Sequence, residues 1–118
     1  MTPNLIKEKN LENRIKKILK DNNINYFKLF ANGMQGAGLA DLWVFNNFYA
    51  YAIEIKRDFK VNKPTMLQLA KAQEFRSNVI YLFVDQSNYK EVIKLIITNK
   101  NEELKRISNE QLEQFIND

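Results

Sequence analysis

The stretch GLADLWVFNNFYAYAIEIKR, residues 38–57, decides the fold. Two apolar, aromatic-rich runs flank Asn46 and Asn47, which reads as a β-hairpin. The runs nevertheless carry Asp41, Glu54 and Lys56, where a core-forming hairpin needs no charge. A two-residue loop at Asn47-Phe48 and a four-residue loop from Asn46 to Tyr49 give the same register, in which partner numbers sum to 95. Phe45 then faces Ala50, Trp43 faces Ala52, and Asp41 faces Glu54. Side chains alternate, so Asp41, Trp43, Phe45, Ala50, Ala52, Glu54 and Lys56 share one face. Leu42, Val44, Tyr51, Ile53 and Ile55 form a plain apolar core on the other.

Carboxylates directly across an antiparallel pair have Cβ atoms roughly 4.5–5.5 Å apart and repel. A divalent cation between Asp41 and Glu54 turns repulsion into coordination. Lys56 lies one pleat beyond Glu54, roughly 6.6–6.8 Å along the strand. There it can polarise an attacking water or neutralise a phosphate oxygen. The bland alternatives are a turn aspartate at a strand start and an exposed Glu-x-Lys charge pair.

Working outward, Leu11, Ile15, Ile18 and Leu19 recur at helical spacing and predict an amphipathic helix over about 7–21, ended by Asp21-Asn22-Asn23. Residues 24–31 read as a strand. All three glycines then fall in a loop over 32–38. Strands are expected over 39–45 and 50–57. Pro64-Thr65 opens a helix to about Arg76. The apolar run VIYLFV, 79–84, suits a strand buried on both faces. Asn88 and Glu91 give a capping signature for a helix carrying Val92, Ile93, Leu95 and Ile96. Residues 102–118 are helical in propensity, with a break expected near Ser108-Asn109 and a second capping box from Ser108 and Gln111. The order αβββαβα predicts an α/β fold with a mixed central sheet. Its first three strands form an antiparallel meander, and a helical crossover makes the last two parallel.

The chain has 118 residues, 45% hydrophobic and 27% charged, as expected of one globular domain over 1–118. No cysteine or histidine is present. Disulfide scaffolds, thiolate chemistry, zinc fingers and histidine-based triads are thereby excluded. Any metal site must use oxygen donors, which favours Mg²⁺ or Mn²⁺. The formal charge of +4 suits a polyanionic partner. Lys28, Lys60, Lys63 and Lys71 are candidates for phosphate contacts, each with a solvated surface charge as the alternative. The glycine loop lacks GK[ST] and precedes its strand, so it is no nucleotide cradle. Its backbone at Gly36 and Gly38 can approach DNA or a metal closely. No run is long enough to span a membrane, the N-terminal residues show no signal-peptide core, and a cytoplasmic location is expected.

Gly38-x-Ala40-Asp41, Glu54-Ile55-Lys56 and Gln68 on the following helix resemble the PD-(D/E)XK nuclease superfamily, nearest to its stand-alone VRR-NUC members found in phages. The resemblance covers the chain to about residue 98 and leaves 101–118 as a C-terminal helical extension. It implies a restriction-endonuclease-like αβββαβ core with its mixed central sheet flanked by helices. It also implies Mg²⁺- or Mn²⁺-dependent hydrolysis of DNA, structure-selective for flapped or branched forms. Asp41, Glu54, the Ile55 carbonyl and Glu12 would serve the metal, with Lys56 at the attacking water and Gln68 against Lys56 or substrate. Glu12 has a solvent-facing alternative, and Gln68 the alternative of a capping box with Thr65. Ala40 departs from the pattern, which has proline there, but removes no functional group.

Holliday-junction resolvases share G-x-x-D, E-x-K and a glutamate-bearing first helix, and act as dimers. Leu104, Ile107, Leu112, Phe115 and Ile116 offer either a homodimer interface or packing on the chain's own core. A non-catalytic DNA-binding module is the alternative of another class, and the Asp/Glu/Lys set argues against it.

Overall fold

The computed structural model describes residues 7–30 and 37–118, so Gly33 and Gly36 of the glycine loop lie outside the described residues. Leu11, Ile15 and Leu19 recur every fourth residue and are fully buried along one stripe of α1 (Glu8–Asp21). Asn22 and Asn23 end it, Asn23 in the left-handed region at φ 57°. β1 (Asn25–Lys28), β2 (Leu42–Asn46), β3 (Tyr49–Ile55) and β4 (Ile80–Val84) form one sheet in the order β1-β2-β3-β4. The first two pairings are antiparallel and β3–β4 is parallel, as the sequence predicts. α2 (Met66–Phe75) makes the crossover, and α3 (Tyr89–Ile97) and α4 (Asn101–Asn117) follow.

One face of the sheet is covered along β2, β3 and β4, the other over β3 and β4. Leu42, Val44, Tyr51, Ile53, Ile55, Leu82 and Val84 cluster with the buried stripes of α1 and α3. On the other face Ala52, Tyr81 and Phe83 pack with Ala72 of α2 and with Leu112 and Phe115 of α4. Burial on both faces accounts for the unbroken apolar run of β4.

Three expectations are corrected. First, β1 stops at Lys28 and β2 starts only at Leu42, so Asp41 stands just outside its strand. Second, Asn88 occupies the position before α3 but makes no cap there. Its Oδ1 accepts from the Asp85 N–H and its Nδ2 donates to the Phe83 carbonyl, holding the end of β4 instead.

Third, α4 is unbroken and Ser108 and Gln111 form no capping box. Both are buried, and both bond the outer strand β4. Ser108 Oγ donates to the Tyr81 carbonyl (2.5 Å). Gln111 Nε2 donates to the Phe83 carbonyl (2.8 Å), and the Phe83 N–H donates to Gln111 Oε1 (3.0 Å). Leu104, Leu112 and Phe115 are buried in the same face, so the tail packs on its own core and leaves Ile116 exposed.

Candidate active site

The hairpin register is the expected one, with Leu42 opposite Ile53, Trp43 opposite Ala52 and Phe45 opposite Ala50. Its turn is the two-residue Asn47-Phe48, both at positive φ. One further step along the register brings Asp41 opposite Glu54. The ladder ends there because a side chain replaces the next backbone acceptor: Asp41 Oδ2 accepts from the Ile55 N–H (3.2 Å). The Asp41 carbonyl accepts from the Leu29 N–H (2.8 Å), tying its backbone to the β1 side. In a strand the N–H and C=O of one residue point the same way, so the Ile55 carbonyl also leaves toward Asp41. The Lys56 N–H donates to the Val84 carbonyl (2.8 Å), which fixes that residue against β4.

Glu54 is 3% exposed and Lys56 7% exposed, although both are ionisable. Burial pushes the Glu54 carboxyl up to about 10, helped by a hydrogen bond with Asp41, the Asp41 charge and Glu8, and opposed by Lys56. Among the described residues no carboxylate lies within ion-pair distance of the Lys56 ammonium. A buried carboxyl beside a half-buried one, with a buried ammonium that has no ion-pair partner among the described residues, is an arrangement that folding alone disfavours.

The helix α1 contributes differently from the expectation. Glu12 is ion-paired with Lys28 (2.5 Å) and Lys16 (2.8 Å), and its carboxyl is held below the usual range by those lysines against the effect of burial. Glu8, one turn earlier, faces the hairpin. Its carboxyl is raised by partial desolvation and then by Asp41, with Lys56 lowering it. Sequence reasoning missed Glu8, whose signal is its i, i−4 relation to Glu12 on the same helical face. It also missed Tyr81. That hydroxyl is fully buried, makes no hydrogen bond of good geometry among the described residues, and is raised by burial and by the Glu54 charge, with the nearby Ala40 backbone opposing. A lone hydroxyl within an otherwise apolar strand is the signal that could have found it.

Asp41, Glu54 and the strand-end Ile55 carbonyl are an all-oxygen donor set that fits a hard divalent cation completing its shell with water. Among the described residues no group of three or more Asp or Glu side chains is gathered as a metal cage. The side chains would therefore supply only part of the shell, as Mg²⁺ sites normally do.

The remaining predicted residues have the following contacts. Gln68 forms the capping box: its N–H donates to Thr65 Oγ1 (3.1 Å) and its Oε1 accepts from the Thr65 N–H (2.9 Å). Gly38 has φ +81°, and a Cβ there would meet Leu67 Cγ at 2.6 Å and the Leu67 carbonyl oxygen at 3.0 Å. Its glycine is needed for close approach to the first turn of α2. Gly36 lies outside the described residues. Lys28 is engaged with Glu12, Lys63 with Asp118 (3.5 Å) and Lys71 with Glu74 (3.3 Å), while Lys60 is exposed.

Among the described residues no helix is long and apolar enough to cross a membrane. No family model matches the chain, nor does any curated protein or solved structure.

Proposed function

We propose that the chain is a divalent-cation-dependent DNA nuclease of the restriction-endonuclease-like kind, with Asp41, Glu54 and Lys56 as its centre. One observation carries this reading. Two carboxyl groups meet at the end of a hairpin with a buried ammonium alongside, and Glu54 is pushed to about 10 first by its burial and then by Asp41, against the lowering effect of Lys56. A Mg²⁺ or Mn²⁺ ion held there would supply charge neutralisation on the scissile phosphate and ease loss of a proton from water. Asp41 and Glu54, once ionised, would hold the cation with the Ile55 carbonyl. Lys56 orients the water that attacks phosphorus and balances the charge gathering on the phosphoryl oxygens. A water oxygen bonds to phosphorus, the ester P–O bond breaks, and the departing oxygen takes up a proton.

The test is cleavage of end-labelled duplex, single-stranded, flapped and four-way-junction DNA in Mg²⁺ and in Mn²⁺, with Lys56→Ala in parallel. Metal-dependent cutting that the variant loses supports the nuclease. Binding without cutting under every metal condition would overturn it in favour of a recognition module.

A further inference from the structure

The face that carries Asp41 and Glu54 continues into a stripe of rings. Phe27 of β1 is the direct cross-strand partner of Trp43 of β2. Their rings are parallel to within 4° at 6.4 Å, and Phe27 also stacks on Phe45 at 5.7 Å. Phe27 is 48% exposed and Phe45 41% exposed. Helices α2 and α4 pack over β3 and β4, and α2 reaches this stripe at the edge of Phe75 against Trp43 (6.1 Å). Half-exposed phenylalanines in register contribute little to a core, and contiguous apolar surface of this kind marks an interaction site.

We propose that Phe27, Trp43 and Phe45 form a stacking platform for the unpaired bases of single-stranded DNA. Three features select this occupant. Phe45 and Trp43 are alternate residues of β2, and Asp41 lies two residues before Trp43, just outside the strand, so the platform adjoins the carboxyl pair. Their spacing of roughly 6.6–6.8 Å is about twice the ~3.4 Å rise per nucleotide, so an unstacked strand presents one base per ring. The rim carries Arg76, directly after Phe75, and Lys71, one helical turn before it and paired with Glu74 (3.3 Å), on a chain of formal charge +4. Aromatic platforms beside cations hold single strands without sequence preference, whereas the bases of a duplex are already stacked on one another. The inference names the substrate class of the proposed nuclease and rests on that reading for where the strand is delivered.

Trp43 is the chain's single tryptophan, so its fluorescence reports the platform directly. The full chain is titrated in EDTA with a short oligothymidine and with a duplex of equal length. The expected result is quenching by the single strand at least 10-fold tighter than by duplex. Phe27→Leu and Phe45→Leu keep apolar volume and should each weaken it about 10-fold, with thermal melts confirming that they fold. Lys71→Ala should weaken both DNAs alike. Equal affinity for duplex, no quenching, or unchanged binding by both leucine variants overturns the platform. So does a dimer in sedimentation that the leucine variants dissociate, which would assign the stripe to a second copy. Because no metal is present, these outcomes are independent of cleavage: a failed nuclease leaves them intact, and a failed platform leaves the nuclease intact.

Discussion

Glu54 stands opposite Asp41, one residue past the last paired positions of β2 and β3, and burial of Glu54, reinforced by its hydrogen bond with Asp41 and by the Asp41 charge, keeps its carboxyl protonated. Folding therefore raises the Glu54 carboxyl from an ordinary 4.5 to about 10. Between those values the unfolded chain releases a proton that the folded chain retains, so metal-free stability falls as pH rises from about 5 toward 10. Below pH 4.5 the carboxyl is protonated in both states and imposes no penalty. We predict that melting temperature in EDTA declines across this window and that Glu54→Gln flattens the decline. The variant should melt roughly 3–8 °C higher at pH 8. Parallel curves for the two proteins would show that the pair is not a stored repulsion.

Lys56 lowers both Glu54 and Glu8 without ion-pairing to either. Lys56→Ala should reduce DNA cleavage by about 10²–10³-fold, the range for losing one group that stabilises developing charge. The rise in melting temperature on adding Mg²⁺ should persist, since the lysine donates nothing to a cation. Cleavage near the parent rate would remove Lys56 from the chemistry.

Glu12, expected at the metal, is paired with Lys28 and Lys16, while Glu8 feels the charges of Asp41 and Lys56, and glutamine variants of the two should separate their contributions. Glu12→Gln leaves half-buried Lys28 without its partner and should destabilise by about 1 kcal/mol while Mg²⁺ response is kept. Glu8→Gln should be neutral or slightly stabilising without metal, yet weaken the Mg²⁺-induced shift in melting temperature. The reverse pattern, read by calorimetry with and without Mg²⁺, would restore Glu12 to the site.

At the opposite end of the hairpin, Phe48 holds φ 69° with its ring fully exposed. A two-residue turn with positive φ at both positions favours glycine at the second, and a bulky side chain there is strained. Phe48→Gly should stabilise by about 1 kcal/mol, seen as a higher urea midpoint with unchanged slope. An unchanged or lowered midpoint would mean that the ring makes contacts that outweigh its backbone strain.

Element order, strand directions and the hairpin register were legible in the sequence because each rests on local periodicity. Alternation placed Asp41, Trp43 and Glu54 on one face, and four-residue spacing placed Leu11, Ile15 and Leu19 inward. What was not legible depended on contacts between distant elements. Whether Glu8 or Glu12 faces the hairpin is fixed by how α1 lies across the sheet, and Lys28 decides it by claiming Glu12 from sixteen residues away. Ser108 and Gln111 read as a helix start because that is the commonest local use of their spacing. Their partners, the backbone of Tyr81 and Phe83, lie nearly thirty residues earlier.

The Gln111 amide offers one donor and one acceptor to Phe83, as a neighbouring strand would. Among the described residues the outer border of β4 is thereby occupied by α4 at Tyr81 and Phe83, and β1 is the border with no further strand beside it. Sheet extension, whether into ordered assembly or unwanted fibre, becomes one-directional, beginning beside Phe27 and unable to continue past α4. A protein that kept its strands but lost this helix would gain a second sticky border, and with it the means to polymerise end to end.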